Sequence, residues 1–230
     1  MMSGLFIVLE GPNGIGKTTL ARHVLDRLAE HGIDAVGTAE PRDAGIGERI
    51  EGNPPADTLG AIEYALVFAR DRLVNLYLGE DSIVKQLLAG RWVVQSRYYY
   101  SSIVYQGMMM GVPITRVAQL NWFAPPPHIL VFLDRSGVDE RERTYYELAY
   151  QHAAATRYDP SNPIAPDWAR LVGIDASRLY PSGAKYPIVM KIDLDGVSPD
   201  EAAGAIVDGA IRLAERLKFL AAGAQHSPPG

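Results

Sequence analysis

Short apolar runs alternate with longer amphipathic stretches along the chain. The runs Leu5–Leu9, Ile33–Thr38, Trp92–Gln95, Ile129–Leu133 and Ile188–Ile192 have the length and apolar character of strands. Between them, apolar positions recur at helical spacing. Leu20–His31 is closed by Gly32, Leu59–Leu78 carries Ile62, Leu66, Ala69, Leu73 and Leu76, and Ser82–Leu88 is followed by Gly90. Further helices are predicted over Ser101–Met110, over Ile114–Phe123 behind Pro113, and over Val138–Ala155, Asp167–Leu179 and Pro199–Phe219. Strands that alternate with helices predict an α/β fold: a five-stranded parallel sheet flanked by helices in three layers.

Length and composition narrow this picture. The 230 residues suit one domain over 1–220, followed by a small, polar, Pro-containing stretch at 221–230 that reads as a flexible tail. Net charge is −5, which argues against nucleic acid as the main partner. The chain has no cysteine, so thiol nucleophiles, disulfides and cysteine metal sites are excluded, and its five scattered histidines do not suggest zinc. No apolar run approaches the length of a membrane span and no signal-like segment is present, so a cytoplasmic enzyme without a membrane partner is expected.

The chemistry begins at Gly11–Thr18, which reads GPNGIGKT between the first strand and the first helix. This is the phosphate-loop pattern G-x-x-x-x-G-K-[ST] in the strand–loop–helix setting it requires. Its glycines let successive backbone N–H groups turn toward a polyphosphate, and the following helix adds its positive end. Gly11, Pro12, Asn13, Gly14, Ile15, Gly16, Lys17, Thr18 and Thr19 are therefore the expected ATP-binding residues. Lys17 is a point charge for the outer phosphates, and the Thr18 hydroxyl is a candidate ligand for Mg2+. Arg97 follows the third strand, where open α/β sheets place their ligands, and an arginine buried there requires an anion such as a monophosphate. Phe68 and Arg72 are four apart and share a helix face, as do Ser102, Tyr105 and Gln106 at i, i+3 and i+4.

Several segments together resemble the thymidylate kinase family of nucleoside monophosphate kinases. They are FIVLEGPNGIGKTT, AEPRDAGIG at 39–47, LVFARDR at 66–72, SRYYYSSIVYQG at 96–107 and PPHILVFLD at 126–134. They fall in the family's order over roughly the first 135 residues, whereas the last third matches loosely. The resemblance implies ATP-dependent phosphorylation of thymidine 5′-monophosphate to the diphosphate, with Mg2+, in a homodimer. It assigns Phe68 and Arg72 to the base and Ser102, Tyr105 and Gln106 to the deoxyribose and base. Beside Arg97, Arg42 after Pro41 is a second candidate for the acceptor phosphate. It also implies a lid at about 135–160 that closes over ATP. This phosphate loop carries no arginine of its own, so a lid arginine is expected to act with Lys17. Arg135, Arg141, Arg143 and Arg157 are available there; Arg141 and Arg143 are the catalytic candidates, and because they are two apart on a helix at most one of them is expected to point inward.

Two positions depart from the family. Asn13 stands where the phosphate loop usually has an acid, and Ser96 stands where an aspartate usually precedes Arg97. Both can hydrogen-bond, but neither adds negative charge to hold a cation. Glu10 and Asp134 are candidates to compensate. The departures leave open a different or modified pyrimidine deoxynucleotide as acceptor. They also leave open a deoxynucleoside acceptor with Glu10 as base, or a nucleotide-binding homologue with impaired transfer.

Overall fold

The computed structural model describes residues 3–42, 46, 57–161 and 167–224. Strands β1 (Phe6–Glu10), β2 (Ala35–Ala39), β3 (Trp92–Ser96), β4 (Ile129–Asp134) and β5 (Ile188–Asp193) form one parallel sheet in the order β2-β3-β1-β4-β5. The central strands β1 and β3 are buried at every position, as is β4 up to Leu133. That burial is why their sequences are continuous apolar runs rather than alternating ones. The edge strands β2 and β5 are only partly covered.

The helices are α1 (Lys17–Glu30), α2 (Thr58–Tyr77), α3 (Ile83–Leu88), α4 (Tyr99–Ser102), α5 (Ile114–Leu120), α6 (Glu140–Ala155), α7 (Asp167–Val172) and α8 (Pro199–Ala224). α1 packs against α8, burying Leu20, Val24 and Leu28 on one partner and Ile206, Ala210 and Leu213 on the other. The segment after α4 packs against α2, α5 and α6. None of the described helices is long and apolar enough to cross a membrane.

Four expected elements differ. Ser101–Met110 is not one α-helix: α4 passes into a π-helical stretch over Ile103–Met109, whose wider turn the apolar periodicity does not distinguish. Asp167–Leu179 is broken at Gly173, which has φ of 65° and ends α7 before the separate 3₁₀ turn Ala176–Arg178. α5 stops at Leu120, short of Phe123, and Asn121 closes it by returning its side-chain amide to the Val117 carbonyl at 2.8 Å. α8 continues past Phe219 to Ala224, so the helix takes in the first part of the expected tail, and residues 225–230 lie outside the described ones.

Candidate active site

The phosphate loop leaves the end of β1 and delivers the chain into α1. Gly11, Gly14 and Gly16 have φ of 149°, 72° and 99°, values open to glycine and strained for other residues. At Gly11 there is also no room, because a Cβ would lie 2.8 Å from the Leu133 carbonyl oxygen of β4. Lys17 is buried, and its ammonium donates to the carbonyls of Gly11 at 2.7 Å and Pro12 at 2.6 Å. Burial lowers its pKa to about 7, the neighbouring Arg97 pushes the same way, and Glu10 and Glu142 pull against both. Thr18 and Thr19 stand exposed at the start of α1. A hydroxyl there suits Mg2+, which keeps waters and takes most other ligands from nucleotide phosphates.

Beside the loop lies a cavity of about 180 Å³, lined by Asn13, Phe68, Arg72, Arg97, Ser102, Tyr105 and Gln106 among others. Six of the seven expected acceptor residues therefore meet in one place, and they meet next to a residue of the phosphate loop. Arg97 has φ of 66°, a left-handed backbone that costs energy for an arginine. Its guanidinium donates to the Asn13 side-chain oxygen and, at 3.4 Å, to Ser101, and it lies 5.5 Å from the Tyr105 ring centroid. Gln106 is buried, and its side-chain carbonyl has no hydrogen-bond partner. A buried acceptor on a cavity wall is costly unless a ligand supplies the donor.

Arg72 is 1% exposed and closes one wall of the cavity. It donates to Glu40 from Nη2 at 2.6 Å and Nε at 2.8 Å, to Asn121, and to Ser102 at 3.3 Å. Burial raises the Glu40 carboxyl to about 7 against the pull of Arg72 and of Gln95, which donates to it at 2.8 Å. Glu40 and Asn121 were not chosen from the sequence. They belong to a loop and a helix end far from Arg72 in the chain, and only the Glu-Pro pair beside Arg42 hinted at one of them.

Arg42 does not join the cavity. Its guanidinium pairs with Asp81 at 2.9 Å, and it lines a separate hollow with Thr38, Asn75 and Arg91. The rest of the expected 39–47 loop beyond Arg42 lies outside the described residues except for Ile46.

Neither carboxylate considered as a replacement for the missing acids is free. Glu10 is fully buried and accepts from the Tyr98 amide at 2.7 Å, the Ser101 amide at 3.1 Å and the Ser101 hydroxyl at 2.7 Å, and burial raises its pKa. Asp134 pairs with Arg143 at 2.7 Å and with Lys191 at 3.3 Å. The arginines expected to act from 135–160 are placed as follows. Arg143 is engaged by Asp134 in a small hollow that includes Pro12 of the phosphate loop. Arg141 is exposed and lies over the Tyr145 ring at 5.6 Å. Neither lines the cavity. Two residues of α6 do reach residues of the cavity wall: Glu142 accepts from the Asn13 amide at 2.7 Å and from the Tyr105 hydroxyl at 2.8 Å, and the Tyr146 hydroxyl lies 2.9 Å from that of Ser101. Of these, Glu142 carries the charge. It was missed because it sits in the charged run DERERTYYELAYQ, whose pattern reads as a solvated face.

The cavity that holds the Arg97 guanidinium and the phosphate loop thus share Asn13 as a common wall. That arrangement suits two anions brought close together, one triphosphate and one smaller acceptor. The family model described as thymidylate kinase matches residues 9–151. A thymidylate kinase of Xanthomonas oryzae pv. oryzae (strain PXO99A) is 36% identical over 132 residues, 57% of this chain and 56% of that protein. A probable thymidylate kinase of Staphylothermus marinus is 33% identical over 165 residues, covering 68% of this chain and 80% of the relative. A thymidylate kinase of Bacillus licheniformis is 32% identical over 166 residues, or 66% and 77%. The chain spans little more than half the length of the Xanthomonas relative.

Proposed function

Because the chain belongs to the thymidylate kinase family, we propose that it transfers the γ-phosphoryl group of ATP to thymidine 5′-monophosphate, giving the diphosphate. The observation that carries this reading is the hydrogen bond from Arg97 to Asn13, which ties the acceptor cavity to the phosphate loop. The acceptor is already an anion, so transfer needs no strong base. It needs alignment and relief of charge repulsion.

In this scheme the loop from Gly11 to Thr19 cradles ATP, and Lys17 leaves its own carbonyls for the outer phosphates. Arg97 holds the acceptor phosphate. Phe68 stacks on the base, Arg72 and Gln106 read its polar edge, and Ser102 and Tyr105 line the sugar. Arg143, which borders Pro12, is the better placed lid arginine for the transferring group, while Arg141 faces outward. Thr18 would hold a bound Mg2+, which would supply positive charge to the nucleotide phosphates.

A homodimer and a cytoplasmic location belong to the same proposal. Leu59, Leu66 and Val67 support the dimer as an exposed apolar stripe on α2, with Leu59 76% and Leu66 50% exposed. Arg97→Ala should weaken binding of the monophosphate by tenfold or more while ATP affinity changes little, as read by separate calorimetric titrations. Equal loss of both ligands would count against the assignment.

A further inference from the structure

We propose that Glu142 is a built-in competitor for the transferring phosphoryl group, a lid carboxylate that occupies the phosphate loop until nucleoside triphosphate displaces it. The inference rests on the part of the reading above that places a triphosphate at Gly11–Thr18.

Glu142 is the third residue of α6, whose N-cap is Asp139. Asp139 accepts from the Glu142 amide at 2.8 Å. A glutamate at this position commonly folds back on the cap amide. Here its carboxylate extends away from the helix to the Asn13 amide at 2.7 Å, the Asn13 side-chain amide at 3.4 Å and the Tyr105 hydroxyl at 2.8 Å. It is only 9% exposed. A carboxylate gives up its water at such a place only when N–H groups and cations replace it. The replacements are a backbone N–H of the phosphate loop and the attraction of Lys17. These are the groups a phosphate oxygen would use. Lys17 is turned onto Gly11 and Pro12 at the same time, so its ammonium and the Asn13 amide are both occupied by groups of the protein itself.

Two anions cannot share this spot, so an arriving triphosphate must expel the carboxylate. The carboxylate leaves by rotation of its own side chain, because Tyr146, Ala149 and Ala153 on the same face of α6 are buried and hold the helix in place.

The test is calorimetric titration of the wild type, Glu142→Gln and Glu142→Asp with ATP and with inorganic tripolyphosphate. A latch shut about nine times in ten lowers apparent affinity about tenfold. Glu142→Gln should therefore bind both ligands about five- to tenfold more tightly. Glu142→Asp, shorter by one methylene, should fall between it and the wild type. Thermal unfolding of each unliganded variant identifies those that fold, and either one alone decides the matter. Tripolyphosphate affinity that is unchanged or weaker in the folded variants overturns the proposal. Failure of the wild type to phosphorylate thymidine 5′-monophosphate would instead count against the function proposed above, and the tripolyphosphate comparison would still decide the role of Glu142.

Discussion

The ammonium of Lys17 rests on two carbonyls of its own loop and has its pKa lowered to about 7 from 10.5 by burial. Between those values the folded chain holds fewer protons at this site than the unfolded one. Stability therefore rises with pH across that window, and the cost of the buried charge is fully present below about pH 7. A triphosphate supplies the missing anions and restores the proton. ATP binding at about pH 8 should then take up a large fraction of a proton, visible as a dependence of the calorimetric enthalpy on buffer ionisation. At about pH 6 the uptake should nearly vanish, and a buffer-independent enthalpy at both pH values would contradict this account of Lys17. The loop lysine could be identified from the sequence because its neighbours in the chain are its neighbours in space. Arg97, Phe68 and Tyr105 were legible for a related reason, since strand ends and helix faces set where they point. Glu142 and Glu40 were not, because their partners Asn13 and Arg72 lie 129 and 32 residues away and no local pattern marks the pairing. The same limit explains Arg42, whose loop position does not specify that it turns to Asp81.

Among the elements, the five strands could be read directly, because a buried parallel strand is a bounded apolar run and the turns around it are marked by glycine and proline. The π-helical stretch Ile103–Met109 could not, since its sequence carries the same apolar residues an α-helix would. It nonetheless carries Tyr105 and Gln106 into the cavity wall. The junction between β1 and β4 is fixed by His128, which is fully buried. Its Nδ1 accepts from the Phe6 amide at 3.0 Å, so its Nε2 carries the proton given to the Leu179 carbonyl at 2.8 Å. Burial lowers its pKa to about 4 from 6.5. Here the unfolded chain binds more protons as pH falls, so stability is lost between about pH 6.5 and 4, by roughly 3 kcal/mol when the window is crossed. Urea unfolding of the wild type and His128→Gln at pH 7 and about pH 4.5 should show a shallower acid loss in the variant. Parallel loss in both would assign the acid sensitivity elsewhere.

For the molecule as a whole, the family match ends at residue 151, within α6, and β5 and α8 lie beyond it. The sheet order nevertheless places β5 beside β4, and α8 packs on α1, so the described residues of this third of the chain mainly support the sheet, with Lys191 of β5 joining Asp134 and Arg143 beside Pro12. The apolar stripe of α2 lies across the same helix from Arg72, so pairing of two chains there would hold that wall of the acceptor cavity in place. Leu66→Asp should convert a dimer to a monomer in sedimentation equilibrium, and an unchanged mass would remove α2 as the interface. In the proposed reaction a phosphoryl group passes from the triphosphate cradle to a monophosphate held by Arg97. The most direct measurement is incubation with ATP labelled at its γ-phosphorus and thymidine 5′-monophosphate, followed by separation of the products. Label in thymidine 5′-diphosphate is the expected result. Label only in inorganic phosphate, or in the monophosphate when thymidine is offered in its place, would contradict it.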